Sequence, residues 1–196
     1  FIGPLVTMRL LAEEKNRGTF ELLLTHPLRD QEIIFGKYGA ALGMLLVMMA
    51  VVSIQMAVVW YFVPHVEAAV LGFGVVTVFL MGAAFLSMGL FVSSITRNQV
   101  TAGTVTFGLW FVSFVLGSVS RDLPDALALP ENWPAWLDSA TNFGYRVFRA
   151  FATELPLDAH AQEMAQGVFQ PPAIVYSWLF SAIWVFLTLR ALETPL

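Results

Sequence analysis

The sequence predicts an all-α integral membrane protein, and three observations support this fold class. Of its 196 residues, 58% are hydrophobic and only 12% are charged, with a mean hydropathy of +0.73. A soluble domain carries about 25% charged residues. Several apolar stretches are long enough to cross a bilayer, and the basic residues fall mainly in alternate connections between them.

Four stretches supply the about 20 mostly apolar residues that a membrane-spanning helix needs. They are residues 38–64, 68–96, 98–120 and 172–190. The apolar start FIGPLVTM is too short to span a bilayer. We therefore expect residues 1–17 to be the end of a membrane helix, reaching as far as Gly18, and the chain to be the later part of a longer protein.

The basic residues predict the orientation of the spans, because Lys and Arg in short connections stay in the cytoplasm. Before the first span stand Arg9, Lys15, Arg17, Arg29 and Lys37, between the second and third stands Arg97, and after the last stands Arg190. Residues 18–37 are thereby predicted to be cytoplasmic, and residues 121–171 extracytoplasmic.

The extracytoplasmic segment 121–171 is broken by prolines and contains an amphipathic stretch. Phe143, Val147, Phe148 and Phe151 fall near one helical face there, which predicts one or two short helices on the outer surface of the membrane. Two interpretations stay open: a cap that closes the bundle, or a gate or docking site for an outer partner.

The sequence offers no catalytic or metal-binding motif. It has no cysteine, and its formal net charge of −4 argues against a nucleic-acid partner. Before Arg190 the spans contain no Asp, Glu, Lys or Arg, and no phosphate-binding loop for ATP occurs. Because the chain has no such loop, energy for moving a substrate must come from a partner.

The polar side chains that we single out as a candidate pathway are Gln55, Thr77, Ser87, Thr104 and Thr106.

The charged residues 18–37, which we call the coupling segment, have the pattern of a short helix between two turns. Gly18 can end the preceding helix, Thr19 can cap a new one with Glu21 in its first turn, and Pro27 stops it. From Asp30 a further helix leads back to the membrane. Periodicity alone leaves two interpretations open: a lipid-surface anchor or a surface that docks on another protein.

The stretch LVTMRLLAEEKNRGTFELLLTHPLRDQEIIFGKY resembles the coupling region of ABC-2 type transporter permeases. The shared pattern is Met8-Arg9, Ala12-Glu13-Glu14, Arg17-Gly18-Thr19, Glu21-Leu22-Leu23, Pro27 and Gly36-Lys37. Within that family the chain most resembles the gliding-motility and nitrous-oxide-maturation permeases. The number and order of the spans agree with this resemblance, as does the SSITRNQ turn at residues 93–99.

The resemblance implies a permease of six spans in the inner (plasma) membrane, of which this chain would show the tail of the second and the last four. It implies a second permease copy or homologue, a cytoplasmic ATPase that holds ATP and Mg, and in some cases an extracytoplasmic auxiliary protein. ATPase coupling would fall to Arg17, Gly18, Thr19, Glu21, Leu22, Leu23 and Leu24, with Pro27, Gly36 and Lys37 shaping the return to the membrane.

Three hypotheses for the function follow. The first is the membrane subunit of an ABC exporter, and the second is a permease-like subunit that transmits force or signal and transports nothing. A continuous polar pathway along the five singled-out side chains would separate these two. The third, an intramembrane enzyme, requires clustered His, Asp or Ser side chains at one depth in the membrane, which the sequence lacks.

Overall fold

The computed structural model describes residues 2–12, 14, 30–63, 67–120, 123–124, 135–154 and 164–193. Over these residues the chain is helical apart from turns and short connections. In chain order the helices are α1 (Ile2–Thr7), α2 (Asp30–Phe62), α3 (Ala68–Ile95), α4 (Gln99–Ser120), α5 (Ala135–Glu154) and α6 (Pro171–Glu193). The predicted all-α class is confirmed.

Four of these helices are long and apolar enough to cross a membrane. Their apolar parts are Gln31–Phe62, Ala68–Ile95, Gln99–Val119 and Pro171–Leu192, and they coincide with the four predicted spans. The first of these four helices, α2, begins before the predicted span at residue 38. It starts at Asp30 and runs without a break through Gly36 and Lys37. Its 33 residues measure about 50 Å, so α2 extends well beyond a hydrocarbon core of about 30 Å.

The first helix is shorter than the sequence predicts. α1 ends at Thr7, residues 8–10 form a turn, and helical conformation returns at Ala12 and Glu14. The amide of Arg9 donates to the carbonyl of Val6 at 3.4 Å, and that of Leu10 donates to Thr7 at 3.1 Å. These three-residue bonds tighten and close the last turn of the helix. The chain therefore leaves α1 inside the bundle.

The helix α3 lies at the centre of the bundle and packs against α1, α2, α4 and α6. Its second half is the buried half. There Leu90 forms one core with Leu11, Ile34 and Val185. This core lies where α2 begins and α3 and α6 end, near Lys37, Arg97 and Arg190. We call this part of the bundle the basic end.

Residues 164–170 pack at the opposite end of the bundle, against the start of α3. Met164 is buried, and Phe169 contacts Phe73 with ring centroids 5.9 Å apart. Gly167 has a φ of +91° and lies against Val70, so its turn needs a residue without a side chain. α2 also ends here, so residues 164–170 and the connection between α2 and α3 share one side of the bundle.

The helix α5 turns its apolar face outward. Phe143, Val147 and Phe148 are exposed, whereas Asn142 and Tyr145 are partly buried. The Tyr145 hydroxyl donates to the carbonyl of Pro124 at 2.7 Å, and α5 packs against α4. A helix on a water-facing surface has the reverse arrangement. Lipid is the environment that suits this orientation.

We expect Phe148 to contact lipid and Arg146 to contact water. Since the chain has no native cysteine, single Phe148→Cys and Arg146→Cys variants can each carry a spin label in bilayers. The label at position 148 should be relaxed more strongly by oxygen, and the label at position 146 more strongly by a water-soluble nickel chelate. Both side chains are exposed, so equal accessibility to the nickel chelate would contradict the proposed orientation.

The contact of α1 with α3 depends on Gly89. A Cβ atom at this position would lie 2.6 Å from Cβ of Thr7, which is closer than van der Waals contact allows. Gly89→Ala should therefore push the two helices apart and lower the free energy of unfolding by about 1–3 kcal/mol. Thermal unfolding in detergent measures this loss. Gly72→Ala on the same helix is the matched control, because nothing lies within 4 Å of its added Cβ, and an equal loss in both variants would contradict the packing argument.

Candidate functional site

Most of the predicted ATPase-coupling residues lie outside the described residues. These are Arg17, Gly18, Thr19, Glu21, Leu22, Leu23, Leu24 and Pro27. Gly36 and Lys37 are described, and both lie within α2. The structure therefore describes the chain before this set, up to Glu14, and after it, from Asp30.

Lys37 joins these two parts of the chain. Its Nζ donates to the carbonyl of Leu10 at 2.5 Å and pairs with Oε1 of Glu14 at 2.6 Å. The Lys37 and Glu14 side chains are 17% and 32% exposed. Because both are largely shielded from water, their attraction is screened less than that of a surface ion pair.

Ser93, on α3, holds the same stretch of chain. Its Oγ accepts hydrogen bonds from the amides of Leu11, at 3.1 Å, and of Ala12, at 2.9 Å. All three residues are buried. The hydroxyl acts as an N-cap does, except that it comes from another helix, 81 residues beyond Ala12 in the sequence.

Together these groups form what we call the clasp: Lys37, Glu14, Ser93 and the backbone of Leu10, Leu11 and Ala12. A hydrogen bond to a charged group contributes about 1.5–3 kcal/mol, and a buried donor left without a partner costs about 1–3 kcal/mol. The clasp therefore fixes Leu10, Leu11, Ala12 and Glu14 against α2 and α3.

Sequence reasoning identified only part of the clasp. Lys37 was expected to shape the return to the membrane, but Ser93 was assigned no role, and Glu14 was noted only as part of the Ala-Glu-Glu pattern. A serine next to a second serine at the end of an apolar span was the available signal. Its partners are too far away in sequence for periodicity to reveal them.

The candidate pathway residues do not form one lining in the described part of this chain. Gln55 and Thr104 are exposed on α2 and α4, whereas Thr77, Ser87 and Thr106 are buried. The four hydroxyls donate to carbonyls of their own helices at 2.6–2.9 Å: Thr77 to Phe73, Ser87 to Ala84, Thr104 to Val100 and Thr106 to Ala102. The assignment of a pathway to these residues stays a prediction.

Two large cavities flank α3, and both are apolar. One, of about 410 Å³, lies among α1, α2, α3 and α4, and its lining includes Met44, Met48, Phe85, Thr106 and Trp110. The other, of about 440 Å³, lies among α2, α3 and α6 and includes Tyr38, Ser177 and Ser181. The Tyr38 hydroxyl donates to the carbonyl of Ala83 at 3.0 Å. The clasp, not a cavity, is the place where charged groups converge.

The described residues contain no group of three or more His, Asp or Glu side chains that could hold a metal ion. The clasp holds chain segments together by charge and hydrogen bonding.

We expect Lys37→Met to lower stability because it removes the donor to Leu10 and the partner of Glu14. The loss should be about 1–2 kcal/mol, which corresponds to a fall of about 2–8 °C in the midpoint of thermal unfolding. Combined with Glu14→Gln, it should cost less than the sum of the two single changes. Arg9→Met, at an exposed basic position beside the turn, is the control and should change little. Strict additivity would show that the ion pair contributes nothing.

Comparisons with known proteins identify the family. The family described as ABC-2 family transporter protein matches residues 1–188. Among curated proteins, the chain is similar to a probable ABC transporter permease protein, NosY, of Pseudomonas aeruginosa. They are 32% identical over 126 residues, which cover 59% of this chain and 45% of that protein.

A second similar protein is the probable multidrug ABC transporter permease YbhS of Escherichia coli, 32% identical over 120 residues, which cover 59% of this chain and 30% of YbhS. The match thus spans less than half of either relative. No solved structure gives a significant match. With four helices able to cross a membrane and a family match over nearly its whole length, the chain belongs to the ABC-2 family of transporter proteins as a multi-pass membrane permease subunit.

Proposed function

We propose that this chain is the membrane subunit through which a separate cytoplasmic ABC ATPase drives the export of a substrate. Membership of the ABC-2 family supports the permease role. The observation that carries the coupling role is the clasp at the basic end: Lys37 of α2 holds Leu10 and Glu14, which precede the coupling segment in the chain. A segment anchored at both ends passes a push on to the bundle instead of swinging freely.

The ATPase subunit supplies the chemistry in this proposal. ATP and Mg bind there, and this chain binds no cofactor of its own. The permease sits in the inner membrane and works with a second copy or a homologue. An auxiliary protein docks on the extracytoplasmic side, where α5 and residues 164–170 lie. The coupling residues from Arg17 to Leu24 would meet the ATPase, and Glu21 would face a basic groove on it.

A second candidate function is a permease-like subunit that transmits force or signal without transporting anything. The hydrogen bonding of the candidate pathway residues favours it, because Thr77, Ser87, Thr104 and Thr106 satisfy their hydroxyls within their own helices. An export path in this chain would then have to form between copies or along apolar side chains. Both functions use the same contact with an ATPase, so that contact is the first to test.

A photo-crosslinking residue at Leu24, in the intact protein and its native membrane, should capture a cytosolic ATPase that mass spectrometry identifies. Capture should fall when Gly18 is replaced by Val or Glu21 by Lys, since these changes alter the turn and the charge of the coupling segment. The same crosslinker at Phe62, exposed at the far end of α2, is the control and should not capture it. Crosslinks to lipid alone at position 24 would favour the membrane-anchor interpretation of the segment.

A further inference from the structure

The stretch that follows α1 is tied to the end of α3 by two hydrogen bonds. The amides of Leu11 and Ala12 share one acceptor, Oγ of Ser93. Because all three residues are buried, water does not readily replace that acceptor. Pulling the turn away from α3 would break two buried hydrogen bonds at once. The turn and the end of α3 should therefore move together.

The same turn is tied to the start of α2. Lys37 reaches across to the carbonyl of Leu10 and to the carboxylate of Glu14. Lys37 and Ser93 thus hold neighbouring residues of one short stretch, one from α2 and the other from α3. A displacement of Glu14 or of the start of α2 therefore acts on this stretch directly.

A small packed core lies beneath the clasp. Leu11, Ile34 and Leu90 have no exposed surface, and Val185 of α6 completes the cluster. Close-packed side chains are hardly compressible and transmit strain. Leu11 belongs both to this core and to the clasp, so its backbone and its side chain are held against the same helix, α3.

We propose that Lys37, Glu14 and Ser93 form a joint that converts displacement of the coupling segment into movement of α3. The inference rests on the proposed function, since an ATPase must supply the push. The three side chains are positioning residues, because they act through α3 and not on nucleotide or substrate. Movement of α3 would carry the change across the membrane, since Ala69 at its far end lies about 36 Å from Ser93.

The test follows the far end of α3 in the intact protein, with its partners, in native membranes. A single Ala69→Cys, at an exposed position in a chain without native cysteine, is labelled with a membrane-impermeant maleimide. Labelling rates are compared without nucleotide and with ATP plus vanadate, which traps the ATPase. In the parent protein, nucleotide should change the rate. In Lys37→Met and in Ser93→Ala this change should be lost, while the crosslinker at Leu24 still captures the ATPase.

Matched variants separate the joint from a general loss of structure. Lys37→Arg keeps the charge and should keep the response. Ser94→Ala is the control for Ser93→Ala, because Ser94 is also buried on α3 but bonds to Phe91 of its own helix. Exchanging the charges, with Glu14→Lys and Lys37→Glu together, should restore part of the response that Lys37→Met loses. If Lys37→Met does not accumulate in the membrane, Ser93→Ala, which removes a single hydroxyl, decides the question.

The outcomes distinguish the joint from the proposed function. Loss of the response at position 69 with retained capture at position 24 supports the joint. If Lys37→Met and Ser93→Ala respond as the parent does, the joint is overturned and the proposed function stands. The same conclusion follows if the parent captures the ATPase but its label at position 69 never responds to nucleotide. If the parent shows neither capture nor response, the proposed function fails and the joint fails with it.

Discussion

The structure depends on one requirement: the backbone that leaves α1 inside a packed bundle must find hydrogen-bond partners there. An unpaired buried amide costs about 1–3 kcal/mol, and Ser93 satisfies two of them. This is feasible only if α1 lies very close to α3, and Gly89 permits that approach opposite Thr7. Gly89 and Ser93 are four residues apart and so lie on one face of α3. The start of the chain packs on that face.

The same requirement explains why the two ends of the bundle differ. At the basic end, the second half of α3 is enclosed by α1, α2 and α6, and its side chains from Leu86 to Leu90 are buried. Towards the opposite end, α2 exposes large apolar side chains such as Ile54, Tyr61 and Phe62. These apolar side chains need no protein partner, and lipid suffices as their surroundings. The more tightly packed part of the bundle is thus the basic end, where the proposed ATPase would act.

The sequence predicted the spans because each depends on local composition alone. Residues 68–96 and 98–120 were predicted within one or two residues of α3 and α4, since Thr96 to Asn98 interrupt an apolar run. A helix beginning at Asp30 was predicted, but its unbroken continuation through Gly36 and Lys37 into the span was not, because a glycine and a charged residue at the membrane boundary resemble a turn. Ile33 and Ile34 are buried against the bundle, and that tertiary contact extends the helix. Likewise, no local signal shows that Ser93 accepts amides from residues 11 and 12.

The length of α2 explains how a protein this apolar can carry charged groups at the clasp. Trp60 and Tyr61 near its end are the residue types that favour one membrane interface. Lys37 lies 23 residues earlier, or about 35 Å along the helix, which exceeds a hydrocarbon thickness of about 30 Å. Lys37 and Glu14 therefore meet at the level of the opposite headgroups, where a charge costs far less than the about 2.5–3.5 kcal/mol of the bilayer centre. At this depth the charged pair avoids most of the free-energy cost of burial in the bilayer. It also lies beside the apolar core and the chain that precedes the coupling segment.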